Sequence, residues 1–206
     1  MTKLPPVIHV VDDDAAFRTM IARLLRASGY QIALYESAHR LLEAPLRANP
    51  GCILLDVRMP EMSGPELQAR LAERGNRLPI VFLTGHGDVA MGVQAIKAGA
   101  EDFLQKPATK NPLLEAIERA LARYDAEREQ GDRLDKLRAL VSTLTRREGE
   151  VFALIVRGKI NKQIAYELGT TERTIKAHRR AVMEKLEVES LAEAVSIAER
   201  LGMLAS

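Results

Sequence analysis

The sequence predicts an α/β domain built on a doubly wound, five-stranded parallel sheet, followed by an all-α domain that contains a helix-turn-helix. Apolar segments of strand length alternate with segments of helical periodicity over residues 1–124, which is typical of a parallel sheet with helices on both faces. Over residues 143–206 the apolar residues recur only at helical spacing. Residues 125–142 are rich in charged helix formers, and we predict a helical linker there.

Composition narrows the class of protein. With 206 residues, the chain is long enough for one large domain or for two small domains, each with its own core. The formal net charge of +2 excludes a uniformly acidic or basic polymer. The single cysteine, Cys52, cannot form an internal disulfide, and no apolar run approaches the roughly 18 residues that a membrane span needs. We therefore expect a cytoplasmic protein that makes no membrane contact.

The strand from Cys52 to Asp56 is the centre of the predicted sheet. It is a short apolar run that ends in an acid before Arg58-Met59-Pro60, which suits a strand covered on both faces that stops at a loop. Ligands bind at the carboxyl ends of the strands in open parallel sheets, so Asp56 is a candidate reactive or metal-binding group. The other predicted strands are Val7–Val11, Gln31–Tyr35, Leu78–Thr84 and Asp102–Gln105.

Helices are predicted between these strands. Apolar residues recur at helical spacing from Ala16 to Leu25, and Ser28-Gly29 ends that helix. Ser63 is a predicted N-cap. The remaining predicted helices of this domain are Ala38–Arg47, Pro65–Arg74, Val89–Lys97 and one that begins near Asn111.

Polar residues collect where the predicted strands end. Asp12 and Asp13 follow the first strand, Asp56 ends the third, Thr84 ends the fourth and Lys106 follows the fifth. We expect these side chains to converge, because the carboxyl ends of parallel strands meet at one edge of the sheet. Three close carboxylates repel one another and require a proton or a cation. An oxygen-only site without His or Cys favours Mg²⁺, with Mn²⁺ as an alternative.

This set of groups favours phosphoryl transfer. A metal ion and Lys106 would neutralise phosphate oxygens while Asp56 attacks as the nucleophile. The alternative interpretation is that the acids and the lysine form an ordinary buried ion-pair cluster.

Four sequence motifs surround these residues: Val10-Val11-Asp12-Asp13-Asp14, Leu55-Asp56-Val57-Arg58-Met59-Pro60-Glu61-Met62-Ser63-Gly64, Thr84-Gly85-His86-Gly87-Asp88 and Lys106-Pro107. They resemble the receiver domain of two-component response regulators, a flavodoxin-like fold, and most closely the FixJ/NarL (LuxR-type) family. The resemblance implies that a partner histidine kinase phosphorylates Asp56. It also implies that Asp13 and Asp56 ligate Mg²⁺ directly, that Asp12 acts largely through water, and that the backbone carbonyl of Arg58 completes the protein ligands.

The same resemblance implies a switch and a dimer. Thr84 and Lys106 would hold the phosphoryl oxygens, and Phe103 matches the aromatic position that turns inward as Thr84 moves. His86 is expected to be a solvent-facing loop histidine rather than a catalytic base. Receivers of this kind pair through their fourth helix and fifth strand, so we expect a homodimer that depends on phosphorylation.

The linker has two interpretations. Leu134, Leu137, Val141 and Leu144 recur at spacings of three and four, which is a weak heptad. The segment is either a solvated helix or a helix that pairs in a dimer and transmits the state of the first domain. Gly131 interrupts it as a candidate hinge or fray point.

Capping signals predict the helices of the second domain. Thr145 and Glu148 form a predicted capping box. Asn161 is predicted to cap a helix through Leu168, and Thr171 a longer helix through Leu186; the last helix is expected over Ser190–Leu201. Two helices joined by a short glycine-containing turn, the second rich in cations, indicate a helix-turn-helix.

The longer helix has a face suited to DNA. Ile175, Val182 and Leu186 are expected to face inward. Lysine and arginine reach phosphates and guanine edges, and a small alanine allows close approach to a thymine methyl. A solvated basic face is the alternative. The residues expected at DNA are Thr174, Lys176, Ala177, Arg179 and Arg180.

Three segments of this domain carry a further resemblance: Leu144-Thr145-Arg146-Arg147-Glu148, Asn161-Lys162-Gln163-Ile164-Ala165 and Thr174-Ile175-Lys176-Ala177-His178-Arg179. They are similar to the LuxR-type DNA-binding domain, whose last helix mediates dimer contacts. Glu187 stands where that family commonly has glycine. The resemblance implies a transcription factor whose dimer places two recognition helices about one helical turn apart on promoter DNA.

The sequence thus predicts a phosphorylation-controlled DNA-binding response regulator that is not an enzyme. One rival is a phosphatase or another hydrolase with an aspartate nucleophile. Such enzymes usually carry an additional acid two residues beyond the nucleophile, where this chain has Arg58. The second rival is a receiver that signals through protein contacts alone.

Overall fold

The computed structural model describes residues 5–46, 50–85 and 89–204. The chain divides into two compact units, Met1–Glu127 and Arg128–Ser206. Among the described residues, no helix combines the length and the apolar character that a membrane span requires.

The first unit contains a five-stranded sheet in which all neighbouring strands are parallel, in the order β2-β1-β3-β4-β5. The predicted fold class is confirmed. The order reverses between β1 and β3, so the crevice for a ligand lies beyond the carboxyl ends of these two strands. The strands are β1 (Val7–Val11), β2 (Gln31–Tyr35), β3 (Gly51–Asp56), β4 (Ile80–Thr84) and β5 (Asp102–Gln105).

Helices cover both faces of this sheet. Leu41 of α2, Leu67 of α3 and Ala95 of α4 pack on one face, whereas Ile21 of α1 and Ile117 of α5 pack on the other. The helices are α1 (Ala15–Ala27), α2 (Ala38–Glu43), α3 (Gly64–Glu73), α4 (Val89–Lys97) and α5 (Lys110–Ser142).

Two predicted bounds in this unit are wrong by two residues or more, and proline explains both. The predicted bounds of β3 and α3 differ from the observed ones by a single residue. The helix α2 ends at Glu43 because Ala44 precedes Pro45 and adopts an extended backbone, with φ −78° and ψ 147°. The predicted end, Arg47, lies outside the described residues. The strand β4 begins at Ile80 rather than Leu78, since Pro79 has no N–H to give to the neighbouring strand.

Apolar residues at the end of the predicted linker pack against the core of the second unit. Gly131 lies within α5, which continues to Ser142. Leu137, Val141 and Leu144 pack against a cluster that includes Phe152 and Val182. Three of the four heptad residues therefore pack against the core of their own unit. Neither interpretation of the linker, as a solvated helix or as a helix that pairs in a dimer, predicted this packing.

The described part of the second unit contains four further helices: α6 (Arg146–Val156), α7 (Asn161–Glu167), α8 (Glu172–Lys185) and α9 (Leu191–Arg200). The capping box of Thr145 and Glu148 is confirmed, as is the cap at Thr171. Ser190, the first residue of the predicted last helix, is the N-cap of α9. The predicted cap at Asn161 is wrong. This residue is already helical, and Gln163 instead accepts a hydrogen bond from the backbone N–H of Ile160 at 3.0 Å.

Glu187 ends α8 in the left-handed backbone region, with φ 55°. Glycine adopts this conformation at no steric cost, whereas a residue with a Cβ does not. The geometry at Glu187 therefore accounts for the glycine that the LuxR-type family commonly has at this position.

Candidate phosphoacceptor site and nucleic-acid interface

Three carboxylates meet at the carboxyl edge of the sheet. Asp12 follows β1 and is 1% exposed, Asp56 ends β3 and is 7% exposed, and Asp13 is exposed. One carboxylate oxygen from each lies within 4.8 Å of the others. This oxygen-only donor set fits a divalent cation of the kind that carboxylates bind.

Lys106, which follows β5, links two of these acids. Its Nζ atom lies 2.5 Å from Asp12 Oδ2 and 3.0 Å from Asp56 Oδ1. The same ammonium lies 4.2 Å from the centroid of the Phe17 ring on α1, which is within the range of a cation–π contact. Two carboxylates and one aromatic ring therefore hold Lys106 beside Asp56.

The pKa values of Asp56 and Lys106 are both raised, but for different reasons. Burial raises the pKa of Asp56, and the nearby Asp12 charge adds to this; the hydrogen bond from Lys106 opposes both. Burial lowers the pKa of Lys106, but its hydrogen bonds to Asp12 and Asp56 outweigh burial and leave that pKa raised. Three carboxylates exceed the charge of one ammonium, so a cation would relieve their repulsion.

The loop after β1 is fixed by its own hydrogen bonds. Asp14 caps α1 by accepting from the N–H groups of Ala16 and Phe17 at 2.8 and 3.2 Å. Arg18 donates from Nη1 to the backbone oxygen of Asp12 at 2.6 Å. Sequence reasoning missed these supporting residues. An acid before a helical run signals the Asp14 cap, but the contacts of Phe17 and Arg18 require the fold.

The loop after β3 is held close to Asp56. The backbone N–H of Gly64 donates to Val57 O at 2.9 Å. A Cβ at position 64 would lie 2.3 Å from the backbone oxygen of Asp56 and 2.8 Å from Phe82 Cε1, so only glycine fits. Arg58, whose carbonyl is a predicted metal ligand, lies in this loop with an exposed side chain.

Thr84 and Phe103 share one face of the sheet. Thr84 pairs with Gln105 and Phe82 with Phe103, so alternation along the strands places the two side chains on the same side. Thr84 is 3% exposed. Phe103 is half-buried and its ring centroid lies 6.3 Å from that of Phe82. A Cβ at Gly92 of α4 would lie 3.1 Å from Phe103 Cδ1, so the ring packs tightly on that helix. His86 lies outside the described residues.

The helix α8 has the predicted division into an inner and an outer face. Ile175 and Val182 are 0% exposed and Leu186 is 1% exposed. Arg179 was predicted to face outward, but its side chain is half-buried. Thr174 is also half-buried. The exposed members of the predicted DNA set are Lys176, Ala177 and Arg180.

Lys185 of α8 has a structural partner. Its Nζ atom lies 2.5 Å from Oε2 of Glu148, and the Glu148 side chain also accepts from the N–H of Thr145. The hydrogen bond from Lys185, followed by that from Thr145, lowers the pKa of Glu148 to about 2. Lys185 therefore joins α8 to the start of α6 and is not part of the outer face.

Comparison with known proteins identifies both units. Residues 8–118 match the response regulator receiver domain, and residues 142–198 match the bacterial regulatory proteins of the luxR family. The response regulator protein TmoT of Ectopseudomonas mendocina is 42% identical over 195 residues, covering 95% of this chain and 89% of that protein.

Two solved structures are similar to this chain over nearly its full length. The response regulator StyR aligns with a TM-score of 0.85 and 45% identity, covering 95% of this chain and 99% of StyR. Full-length FixJ from B. japonicum aligns with a TM-score of 0.60 and 38% identity, covering 98% and 100%.

Proposed function

This chain belongs to the two-component response regulators that carry a LuxR-type DNA-binding domain, and from that premise we propose that Asp56 is its phosphoryl acceptor. The observation that carries the proposal is the contact of Lys106 with Asp56, at 3.0 Å, beside two further carboxylates. A partner histidine kinase is the donor. An Asp56 oxygen attacks the phosphorus, the P–N bond to the donor histidine breaks, and its electron pair returns to the imidazole.

Mg²⁺ is the proposed cofactor, with Mn²⁺ as a substitute. Asp13 and Asp56 would hold it directly, Asp12 through water, and Arg58 through its backbone carbonyl. Bound there, the ion supplies positive charge to the transferring phosphoryl oxygens. The acidic donor set and its excess of negative charge support this choice.

Lys106 and Thr84 act on the phosphoryl group after transfer. Lys106 neutralises one phosphoryl oxygen, and the hydroxyl of Thr84 donates to another. The phosphoryl group adds roughly 1.5 to 2 negative charges, which strengthens both contacts. As Thr84 moves toward the phosphoryl group, Phe103 turns into the vacated space. Their common face of the sheet supports this coupling.

The proposed output is binding of promoter DNA by α8 in a phosphorylation-dependent homodimer. Thr174, Lys176, Ala177, Arg179 and Arg180 form the DNA-facing set. The buried inner face of α8 and the exposed side chains of three of these residues support this assignment. Because the kinase and the promoter are both reached in the cytoplasm, we place the protein there.

DNA binding with and without phosphorylation tests this function. The probe is a duplex enriched from a random pool by the full-length protein in acetyl phosphate and Mg²⁺. We expect acetyl phosphate to tighten binding of the wild type and to leave Asp56→Asn unchanged. Equal DNA affinity of the wild type with and without acetyl phosphate would show that phosphorylation does not control DNA binding and would overturn the proposal. Repeated turnover of p-nitrophenyl phosphate would favour a hydrolase, and no DNA retention even at low salt would favour a protein-interaction module.

A further inference from the structure

An ion pair lies on the outer face of α8. Arg180 Nε donates to Glu184 Oε1 at 2.8 Å, and both side chains are largely exposed, at 83% and 64%. Four residues separate them, which is the spacing at which helical neighbours meet. This pair stands on the surface that the proposed function assigns to DNA.

Arg180 differs from the other cations proposed to meet DNA. Within the described part of the chain, Lys176 and Arg179 of α8 contact no carboxylate. Arg180 must release or share Glu184 before its guanidinium can bind a phosphate.

We propose that Glu184 competes with the DNA phosphates for Arg180 and thereby lowers the sequence-independent affinity of the DNA-binding domain. Phosphate contacts release counterions and supply most of non-specific binding. A guanidinium that is already hydrogen-bonded to a carboxylate of its own helix contributes less to non-specific DNA affinity. Glu184 is thus a positioning residue that acts through Arg180, and this inference rests on the proposed DNA face of α8.

A double-mutant cycle on the full-length protein tests the inference. The four proteins are the wild type, Glu184→Gln, Arg180→Gln and the double variant. The probe is a fluorescent duplex of random sequence, and anisotropy gives its affinity at several salt concentrations. We expect Glu184→Gln to tighten binding roughly two- to fivefold, and to steepen the slope of log affinity against log salt by about one. In the Arg180→Gln background the same change should have no effect.

The matched control is Glu172→Gln on the same helix. Glu172 is exposed and contacts no cation within the described residues, so any gain from its removal should be the same in both backgrounds. Equal gains from Glu184→Gln with and without Arg180 would reduce its role to general repulsion and overturn the inference. No gain in either background would overturn it as well. If Arg180→Gln and Lys176→Gln both leave binding unchanged, the proposed DNA face itself fails.

Discussion

The ammonium of Lys106 lies 3.0 Å from the Oδ1 atom of Asp56, although Asp56 ends β3, Lys106 follows β5 and the two residues stand fifty positions apart in the chain. Parallel strands bring them together because β3 and β5 both end at the same edge. The contact places a cation beside the proposed nucleophile. Asp12 lies closer still to the same ammonium, at 2.5 Å, so one lysine is shared by two acids.

Charge repulsion predicts the effect of Asp13→Asn. Without divalent cations, the variant should raise the free energy of unfolding by about 1 kcal/mol, because one of three close negative charges is removed. Mg²⁺ should raise the melting temperature of the wild type more than that of the variant. Calorimetry with EDTA and with MgCl₂ measures both effects.

Asp14→Asn is the control, since asparagine caps a helix as well as aspartate does and Asp14 caps α1. Asp14→Asn should keep the wild-type free energy of unfolding without divalent cations and the wild-type rise in melting temperature with Mg²⁺. If Asp13→Asn and Asp14→Asn show the same stability and the same response to Mg²⁺, a metal site that includes Asp13 would be contradicted.

The space around Gly64 predicts a loss of stability on substitution. Gly64→Ala should destabilise the first unit by about 2 to 3 kcal/mol, because the added Cβ meets the backbone of Asp56 at 2.3 Å. Phosphorylation by acetyl phosphate should slow, since the loop beside the acceptor must shift. Urea unfolding and the rate of phosphorylation are the measurements.

Gly149→Ala is the matched glycine control in α6, where a Cβ meets nothing within 4 Å. It should stabilise the protein by about 0.5 to 1 kcal/mol through helix propensity. A Gly64→Ala protein as stable and as reactive as the wild type would refute the close packing of this loop.

The contact between Gly92 and Phe103 predicts weaker switching in Gly92→Ala. The Cβ would lie 3.1 Å from Phe103 Cδ1, so the ring must move by a few tenths of an ångström. Helix propensity gains roughly 0.5 to 1 kcal/mol and offsets this strain, so stability should change little. The ratio of DNA affinities with and without acetyl phosphate should fall, and the Phe103 ring signals in NMR should shift.

Val93→Ala serves as the control on the same helix, because Val93 is 48% exposed. It should keep the wild-type ratio. An unchanged ratio in Gly92→Ala, despite shifted ring signals, would separate Phe103 from the switch.

The ion pair between Glu148 and Lys185 predicts a pH dependence of the second unit. The pKa of Glu148 is about 2 in the folded protein, below its ordinary value of 4.5. Because the pKa of Glu148 is lower in the folded than in the unfolded protein, its charge stabilises the fold fully at pH values above the unfolded pKa. That stabilisation is lost as the pH falls from about 4.5 toward 2. Glu148→Gln should therefore be less stable than the wild type at pH 7, with a difference that shrinks at pH 3.

Hydrogen exchange of the α6 backbone, compared between the two proteins at each pH, measures this difference. Glu189→Gln removes an exposed carboxylate between α8 and α9, and it therefore controls for the same change in net charge. A difference that stays constant from pH 7 to pH 3 would rule out the ion pair as its source.

Local sequence signals predicted much of the fold. The bounds of β1, β2, α4 and β5 agree with their predictions because apolar alternation and glycine stops act over a few residues. The caps at Ser63 and Thr145 agree for the same reason. The end of α2 was wrong because Pro45 changes the backbone of the residue before it, a steric effect that outweighs periodicity.

The site was predictable only in part. Strand ends are local features and parallel strands share an edge, so Asp12, Asp13, Asp56 and Lys106 could be grouped from sequence. Contacts across elements could not be predicted. The ring of Phe17 beside Lys106 depends on how α1 packs, and spacing alone does not give that orientation.

The intact mass of the protein after incubation with acetyl phosphate tests the central claim most directly. With Mg²⁺, the wild type should gain the mass of one phosphoryl group, located in the peptide that contains Asp56 and removed by hydroxylamine. The gain should be absent in EDTA and in Asp56→Asn. An unchanged mass with Mg²⁺, or the same gain in Asp56→Asn, would contradict the assignment of Asp56 as the acceptor.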